Sequence, residues 1–253
     1  MVEISKAEYL EALERSGLTG HPGGIAGTEM LIERLGIRRG ERVLDLGCGT
    51  GYTSCLIARS QDADVVAADL QPKMLRWVQR RARKERVLNA VRPVAADAHR
   101  LPFKDGSFDA AVVESVLVFC DVPVALAELY RVLKPGGRLG CNEVTAPRPM
   151  SPEEREQFRA SFGIVPLTTT ADEWTGAIKA AGFIDITADV KPIEWLDLSL
   201  TPLRTDGLRR YLAAIVKSLT DPKMWKLYRG KGAFLRSGLI RDLGSGIYYA
   251  RKP

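Results

Sequence analysis

The chain predicts a doubly wound α/β fold, a Rossmann-like sheet of seven strands preceded by helices. Two observations predict it. From Arg42 onward, short runs rich in Val, Leu and Ala alternate with segments of helical periodicity. Strands that are apolar throughout are buried on both faces, as in a mainly parallel sheet covered by helices. The first of these runs leads directly into three closely spaced glycines, the strand-to-helix turn at which such sheets bind ligands. A chain of 253 residues is long enough to bury roughly 70–75% of the surface its unfolded form exposes.

The elements follow in order. Residues 5–15 and 25–36 read as helices, the second with an apolar stripe of Ile25, Met30, Leu31, Leu35 and Ile37. Between them, 17–24 hold four glycines and a proline, a loop able to approach a ligand closely. Strands are predicted at 43–46, 65–68, 91–95, 109–113, 138–144, 183–190 and 247–250, with helices near 51–60, 72–86, 121–133, 152–161 and 172–181. More than fifty residues separate the last two strands, far beyond an ordinary connection. The organisation is therefore an N-terminal helical lid (1–40), a core (41–192), a helical substrate-cap insertion (193–245) and the last core strand (246–253).

The turn at 43–51 reads VLDLGCGTG. Glycine lets the backbone turn sharply and pass close to a ligand, and the helix that follows presents free N–H groups. The spacing is G-x-G-x-G, with Tyr52 where the dinucleotide fingerprint needs its third glycine, and no phosphate-binding G-x-x-x-x-G-K-[ST] occurs. Asp45 on the approach would repel a pyrophosphate and suits a ligand carrying an ammonium or sulfonium. Asp69 ends the second strand, where an acid can accept both hydroxyls of a ribose.

With these residues the chain resembles the class I S-adenosylmethionine-dependent methyltransferases over about 40–145. The likeness rests on VLDLGCGTG, the acid ending VVAADL, Ala96-Asp97-Ala98 followed by Leu101-Pro-Phe103, Phe108-Asp109 leading into the fourth strand, and Leu133-Lys-Pro-Gly-Gly-Arg138. Within the class it looks most like the small-molecule methyltransferases of menaquinone and ubiquinone biosynthesis. The resemblance implies an antiparallel last strand and S-adenosyl-L-methionine as cofactor. It implies Gly47, Cys48 and Gly49 under the methionine moiety, Asp45 near its ammonium, Asp69 on the ribose, and Leu70 against the adenine. It further implies Asp97 and the Ala98 backbone on the adenine edge, and Glu114 beside the methionine end.

A sulfonium carries its own activation, so the protein must align acceptor and methyl group, exclude water and, for some acceptors, take a proton. Two residues are candidates for that last task. His21 lies in the glycine loop ahead of the core, and an imidazole takes a proton near neutral pH; the plainer reading is a structural histidine. Glu143 follows the fifth strand at the carboxyl edge where acceptors bind; the plainer reading is a solvated strand-end carboxylate. His99 is expected along the adenine. Four cysteines without a C-x-x-C pair, and two distant histidines, give no metal-binding pattern.

The net charge of +6 resolves into patches. Residues 204–253 hold twelve Lys/Arg against three acids, net +9, and 73–86 hold seven against one, net +6; the remainder is 18 basic against 27 acidic. In the first patch Leu208, Tyr211, Leu212, Ile215, Val216 and Leu219 recur at helical spacing. Met224, Trp225, Leu227, Tyr228, Phe234, Leu235, Leu239 and Ile240 then alternate with Lys223, Lys226, Arg229, Lys231, Arg236 and Arg241. Either a lid helix with a solvated basic face or a cap over an apolar, anionic or membrane-associated acceptor would give this pattern. In the second patch Met74, Trp77, Val78 and Ala82 are expected to face the sheet, with Arg76, Arg80, Arg83 and Lys84 in solvent. The expected partner is a small-molecule acceptor, with peripheral membrane contact left open. RNA methylation through the basic insertion is the alternative, and a non-catalytic S-adenosylmethionine-binding protein is another. Against nucleic acid, strand four ends in Glu114-Ser-Val-Leu-Val-Phe119, without the Pro-Pro-aromatic turn that clamps a base nitrogen or a Pro-Cys nucleophile. The polar first twenty residues and the lack of a long apolar run give the expectation of a cytoplasmic protein. Nothing in the chain specifies an oligomeric state.

Overall fold

The computed structural model describes residues 4–236, 238 and 242–253. Two helices, α1 (Lys6–Ser16) and α2 (Gly24–Leu35), precede β1 (Arg42–Leu46), α3 (Tyr52–Gln61), β2 (Asp64–Asp69), α4 (Pro72–Lys84) and β3 (Val91–Ala95). Then come β4 (Phe108–Glu114), a 3-10 turn at Leu117–Phe119, α5 (Val122–Val132), β5 (Leu133–Thr145), α6 (Pro152–Phe162), α7 (Ala171–Ala180) and β6 (Ile184–Pro192). Among the described residues the insertion holds three helices, α8 (Trp195–Asp206), α9 (Leu208–Thr220) and α10 (Pro222–Arg236), ahead of β7 (Gly244–Arg251).

The seven strands form one sheet in the order β3-β2-β1-β4-β5-β7-β6. All neighbours from β3 to β5 pair in parallel, and β7 runs antiparallel between β5 and β6. Alternation along each strand divides the core into two layers. Leu44, Leu46, Val66, Ala68, Ala111 and Val113 face α5 and α7, while Val43, Val65, Ala67, Ala110 and Val112 face α2, α3 and α4. Strand order reverses at β1, which lies between β2 and β4, so the connections leaving β1 and β4 diverge there. That divergence opens a crevice at their carboxyl ends.

Above this edge sits a helical layer. Helix α1 starts on a capping box in which Ser5 and Glu8 satisfy each other's backbone N–H groups. It packs on α10 through Tyr9, Ala12, Met224 and Leu227, and α10 also packs on α6 through Phe234, Phe158 and Phe162. Charge holds the same seam. Glu8 pairs with Lys226 at 2.8 Å, Glu11 with Lys223 at 2.6 Å and Arg15 with Asp221 at 2.8 Å, while Glu14 ties α1 to Lys73 of α4. Two cations of the basic insertion, Lys223 and Lys226, are thus paired with acids of the first helix.

Two expected faces turn out differently. Trp77 does not face the sheet; it lies against Gly17 of the lid loop, with the guanidinium of Arg80 at 5.1 Å and that of Arg210 at 4.2 Å from its ring. The aliphatic stripe of α9 does not cover an acceptor either: Leu208, Leu212, Ile215, Val216 and Leu219 are between 41% and 76% exposed. Only Ala214 of α9 is buried, so the helix packs through its other side. Leu239, Ile240 and Arg241 lie outside the described residues, as do the side chains of Lys231, Leu235 and Arg236.

Candidate functional site

A cavity of about 230 Å³ opens at the carboxyl ends of β1, β2 and β4, roofed by α1 and the loop that joins it to α2. Its floor is the glycine turn. Gly47 has φ +72°, and a Cβ there would lie 2.1 Å from Val116 Cγ2, so only glycine fits. Gly49 has φ +51°, and a Cβ there would meet no protein atom; the space above it belongs to the cavity. The N–H groups of Gly47 and Cys48 both donate to Ala68 O, at 2.8 and 3.0 Å, which pins the turn to the end of β2.

The cavity brings together ten of the eleven residues singled out above: His21, Asp45, Gly47, Cys48, Gly49, Asp69, Leu70, Asp97, Ala98 and Glu114 all line it. Asp69 accepts from Gly49 N–H at 2.9 Å and Gln71 N–H at 2.8 Å, bonds that hold its carboxylate at the edge of the turn. Asp97 accepts from both the N–H and Nδ1 of His99, which hold its carboxyl below the usual range. His99 Nε2 in turn accepts from Asp121 N–H at 2.9 Å, tying the 96–99 segment to the start of α5. Cys48 is buried apart from its edge on the cavity, and burial pushes its thiol well above the usual range.

Glu143 is the exception. Its side chain is fully buried outside the cavity lining, and its carboxylate accepts from the N–H groups of Val116, Leu117 and Val118 at 3.0, 2.8 and 3.4 Å. Those are the free donors of the 3-10 turn. Glu143 therefore shapes the wall after β4 and does not meet an acceptor. Burial pushes its carboxyl up to about 8, although the three amides pull the other way.

Electrostatics narrow the ligand. Three carboxylates, Asp45, Asp69 and Glu114, converge on the floor. Burial raises the Asp45 carboxyl to about 7; the Ser54 hydroxyl, which donates to it, pulls downward, while the charges of Glu114 and Asp69 push further up. A cationic group would relieve this repulsion and a phosphate would add to it. The residues present therefore fit S-adenosylmethionine: acids for its cationic end, Asp69 for ribose hydroxyls, and Leu70, Asp97 and Ala98 along one side for the adenine.

Beside the cationic end lies a buried polar cluster that sequence reading found only in part. Glu114 accepts from Thr53 Oγ1 at 2.7 Å and Thr28 Oγ1 at 3.0 Å, and its Oε2 lies 3.6 Å from His21 Nε2. His21 Nδ1 is 3.0 Å from Pro22 O. That carbonyl also accepts from Asn142 Nδ2 at 2.9 Å, and Asn142 Oδ1 accepts from Ser245 Oγ at 2.6 Å. Ser115, next to Glu114, has φ +56°, and its hydroxyl is buried without a partner among the described residues. A left-handed serine with an orphaned hydroxyl on the cavity wall is the kind of local cost found at functional sites.

A second cluster, also missed, closes the roof. Arg81 of α4 is buried and donates to Thr50 O at 3.1 Å, Thr205 O at 3.0 Å and the carboxylate of Asp206. Asp206 also accepts from Thr19 N–H at 2.7 Å, and Thr19 and Thr50 share a hydroxyl–hydroxyl hydrogen bond. This latch joins the lid loop, the glycine turn, α4 and the end of α8.

Comparison with known proteins agrees with the site. Residues 44–141 match the methyltransferase domain family. The chain is 32% identical over 216 residues to the uncharacterized methyltransferase YodH of Bacillus subtilis, covering 81% of this chain and 91% of that one. It is 37% identical over 138 residues to the ubiquinone/menaquinone biosynthesis C-methyltransferase UbiE of Erwinia tasmaniensis, covering 53% of this chain and 55% of that one. Among solved structures, the [4+2]-cyclase SpnF superposes with a TM-score of 0.78 at 23% identity, over 100% of this chain and 98% of that one, a likeness of fold. With the glycine turn, the acidic floor and Asp69 at the end of β2 around one cavity, the chain belongs to the class I S-adenosylmethionine-dependent methyltransferases.

Proposed function

We propose that the protein transfers the methyl group to a small, largely apolar acceptor held under the lid, with His21 taking the acceptor's proton. The observation that carries this reading is the His21–Glu114 pair on the cavity wall. Bound S-adenosylmethionine supplies an activated methyl group, so alignment, exclusion of water and proton handling are left to the chain. The Pro22 carbonyl is placed to accept Nδ1–H, which selects the tautomer with its lone pair on Nε2, 3.2 Å from Thr28 Oγ1. A proton arriving at Nε2 meets the Glu114 carboxylate, itself fixed by Thr53 and Thr28, and the resulting imidazolium is stabilised. Asn142 and Ser245 hold the Pro22 carbonyl and are positioning residues. Leu10, Leu13, Leu18 and Phe119 close the roof and give the acceptor space its apolar character. UbiE is a C-methyltransferase of quinone biosynthesis, a precedent for an apolar acceptor. The pairing of Lys223 with Glu11 and of Lys226 with Glu8 takes two cations of the insertion away from phosphate binding, which counts against the RNA alternative.

The test is transfer of a tritiated methyl group to cell extract divided into small-molecule, lipid and nucleic-acid fractions. Label in the small-molecule or lipid fraction supports the proposal, and label confined to nucleic acid refutes it. The substitution His21→Asn is expected to lower turnover by about 10²–10⁴ while leaving donor affinity within a few-fold. Undiminished turnover removes His21 from the mechanism.

A further inference from the structure

The insertion carries a surface that neither donor binding nor methyl transfer uses. In α9, Leu208, Leu212, Ile215, Val216 and Leu219 fall at i, i+4, i+7, i+8 and i+11, a spacing that places all five on one side of the helix. A row of this kind normally covers a core; here it points into water. The neighbouring helix α10 extends the surface. Trp225 and Tyr228 are both exposed, Tyr228 lies close to Tyr211 of α9, and the guanidinium of Arg229 stands 4.4 Å above the Trp225 ring.

The exposed charges of the α9–α10 stretch itself have one sign. Between residues 204 and 229, the exposed charged side chains are Arg204, Arg209, Lys217, Lys223 and Arg229, all cationic. The two acids of the same stretch turn inward, Asp206 onto Arg81 and Asp221 onto Arg15. Lys223 is paired with Glu11 and Lys217 donates to a backbone carbonyl of α1, while Arg209 stands beside the aliphatic row. Among the described residues, no helix is long and apolar enough to cross a membrane.

We infer that the α9–α10 face docks on the surface of an anionic lipid bilayer, with the aliphatic row of α9 among the acyl chains and Trp225, Tyr228 and the cations at headgroup level. An apolar stripe, amphipathic aromatics at its margin and a cationic rim together describe a helix that lies in a membrane interface. A second copy of the chain fits the face less well, because a two-fold contact would set this cationic rim against itself with no exposed acid of the stretch to answer it. Methyl transfer in solution does not depend on the docking, so the two can fail separately.

Co-sedimentation of the full chain with vesicles of phosphatidylcholine alone, and with about one-third phosphatidylglycerol, tests the inference. Partitioning onto the anionic vesicles is expected to be at least about ten-fold stronger and to weaken as salt is raised. The double substitution Leu212→Glu with Val216→Glu is expected to reduce it by at least about ten-fold, with S-adenosylmethionine binding kept as the check that the chain is folded. Arg209→Glu is a milder second variant, expected to lower only the preference for anionic over neutral lipid. Three results would overturn the inference: no enrichment on anionic vesicles, full retention of binding by both variants, or a solution dimer of the wild-type chain that the double substitution dissociates.

Discussion

Replacement of Asp206 by alanine probes the latch that shuts the roof. Its side chain is inaccessible to solvent and that of Arg81 is 5% exposed, so the substitution leaves a buried guanidinium with only the longer pair to Glu85 at 3.3 Å. Removing one partner of such a pair costs about 3–5 kcal/mol. Arg81 keeps its bonds to the Thr50 and Thr205 carbonyls, which puts the expected loss near the lower end, about 3 kcal/mol. For a chain of this size that lowers the melting temperature by roughly 6–12 °C. The same change frees Thr19 N–H, so that the lid loop loses its tie to the end of α8 and keeps only the Thr19–Thr50 hydroxyl bond to the glycine turn, and donor affinity should weaken on the order of ten-fold. Thermal unfolding with and without S-adenosylmethionine reads both quantities. Arg81→Met combined with Asp206→Leu should recover part of the stability, because it removes both members of the buried pair and costs only the partly exposed Glu85 and Arg210 a partner each, but not the donor affinity. A stability loss below about 1 kcal/mol, or an unchanged donor affinity, would refute the latch.

Two further outcomes depend on pH. Burial pushes the Asp45 carboxyl up to about 7, so below that pH a cationic ligand must displace its proton; donor affinity is expected to rise as pH increases toward 7, by up to about ten-fold per unit, and then level off. Calorimetry on Asp45→Asn should show weaker binding with no such rise, and a rise that persists would assign it elsewhere. Glu143 has its pKa raised to about 8 in the fold against roughly 4.3 in an unfolded chain. Its contribution to stability is therefore complete at low pH and is lost as pH climbs through about 8. Melting curves of Glu143→Gln should fall less steeply with pH than those of the wild type, and an identical slope would contradict the buried carboxyl.

What could be read from the chain was local chemistry and periodicity. Three glycines after a Val-Leu run and an acid at the end of the next strand are each fixed by neighbours close in sequence. The structure places Gly47, Gly49, Asp45 and Asp69 around one cavity. What was not legible depended on partners far along the chain. Arg81 looks like one more cation in a basic helix until Asp206, 125 positions later, is seen beside it. Glu143 reads as a strand-end acid, and only the path of residues 116–118 shows that its carboxylate satisfies their N–H groups. Thr28 and Asn142 carry no sequence signature because ordinary polar residues complete many buried networks. The α9 stripe is a different case, since spacing shows that a helix has an apolar side but not whether that side meets the protein or faces away.

The central claim is that the cavity over the glycine turn holds the methyl donor through Asp69 and the acids around it. Calorimetric titration of S-adenosylmethionine into the purified full chain, beside Asp69→Ala, tests it most directly. One donor bound per chain, with affinity at least about ten-fold weaker in the variant, is the predicted result. Absence of binding to the wild-type chain, or equal affinity in the variant, would contradict it.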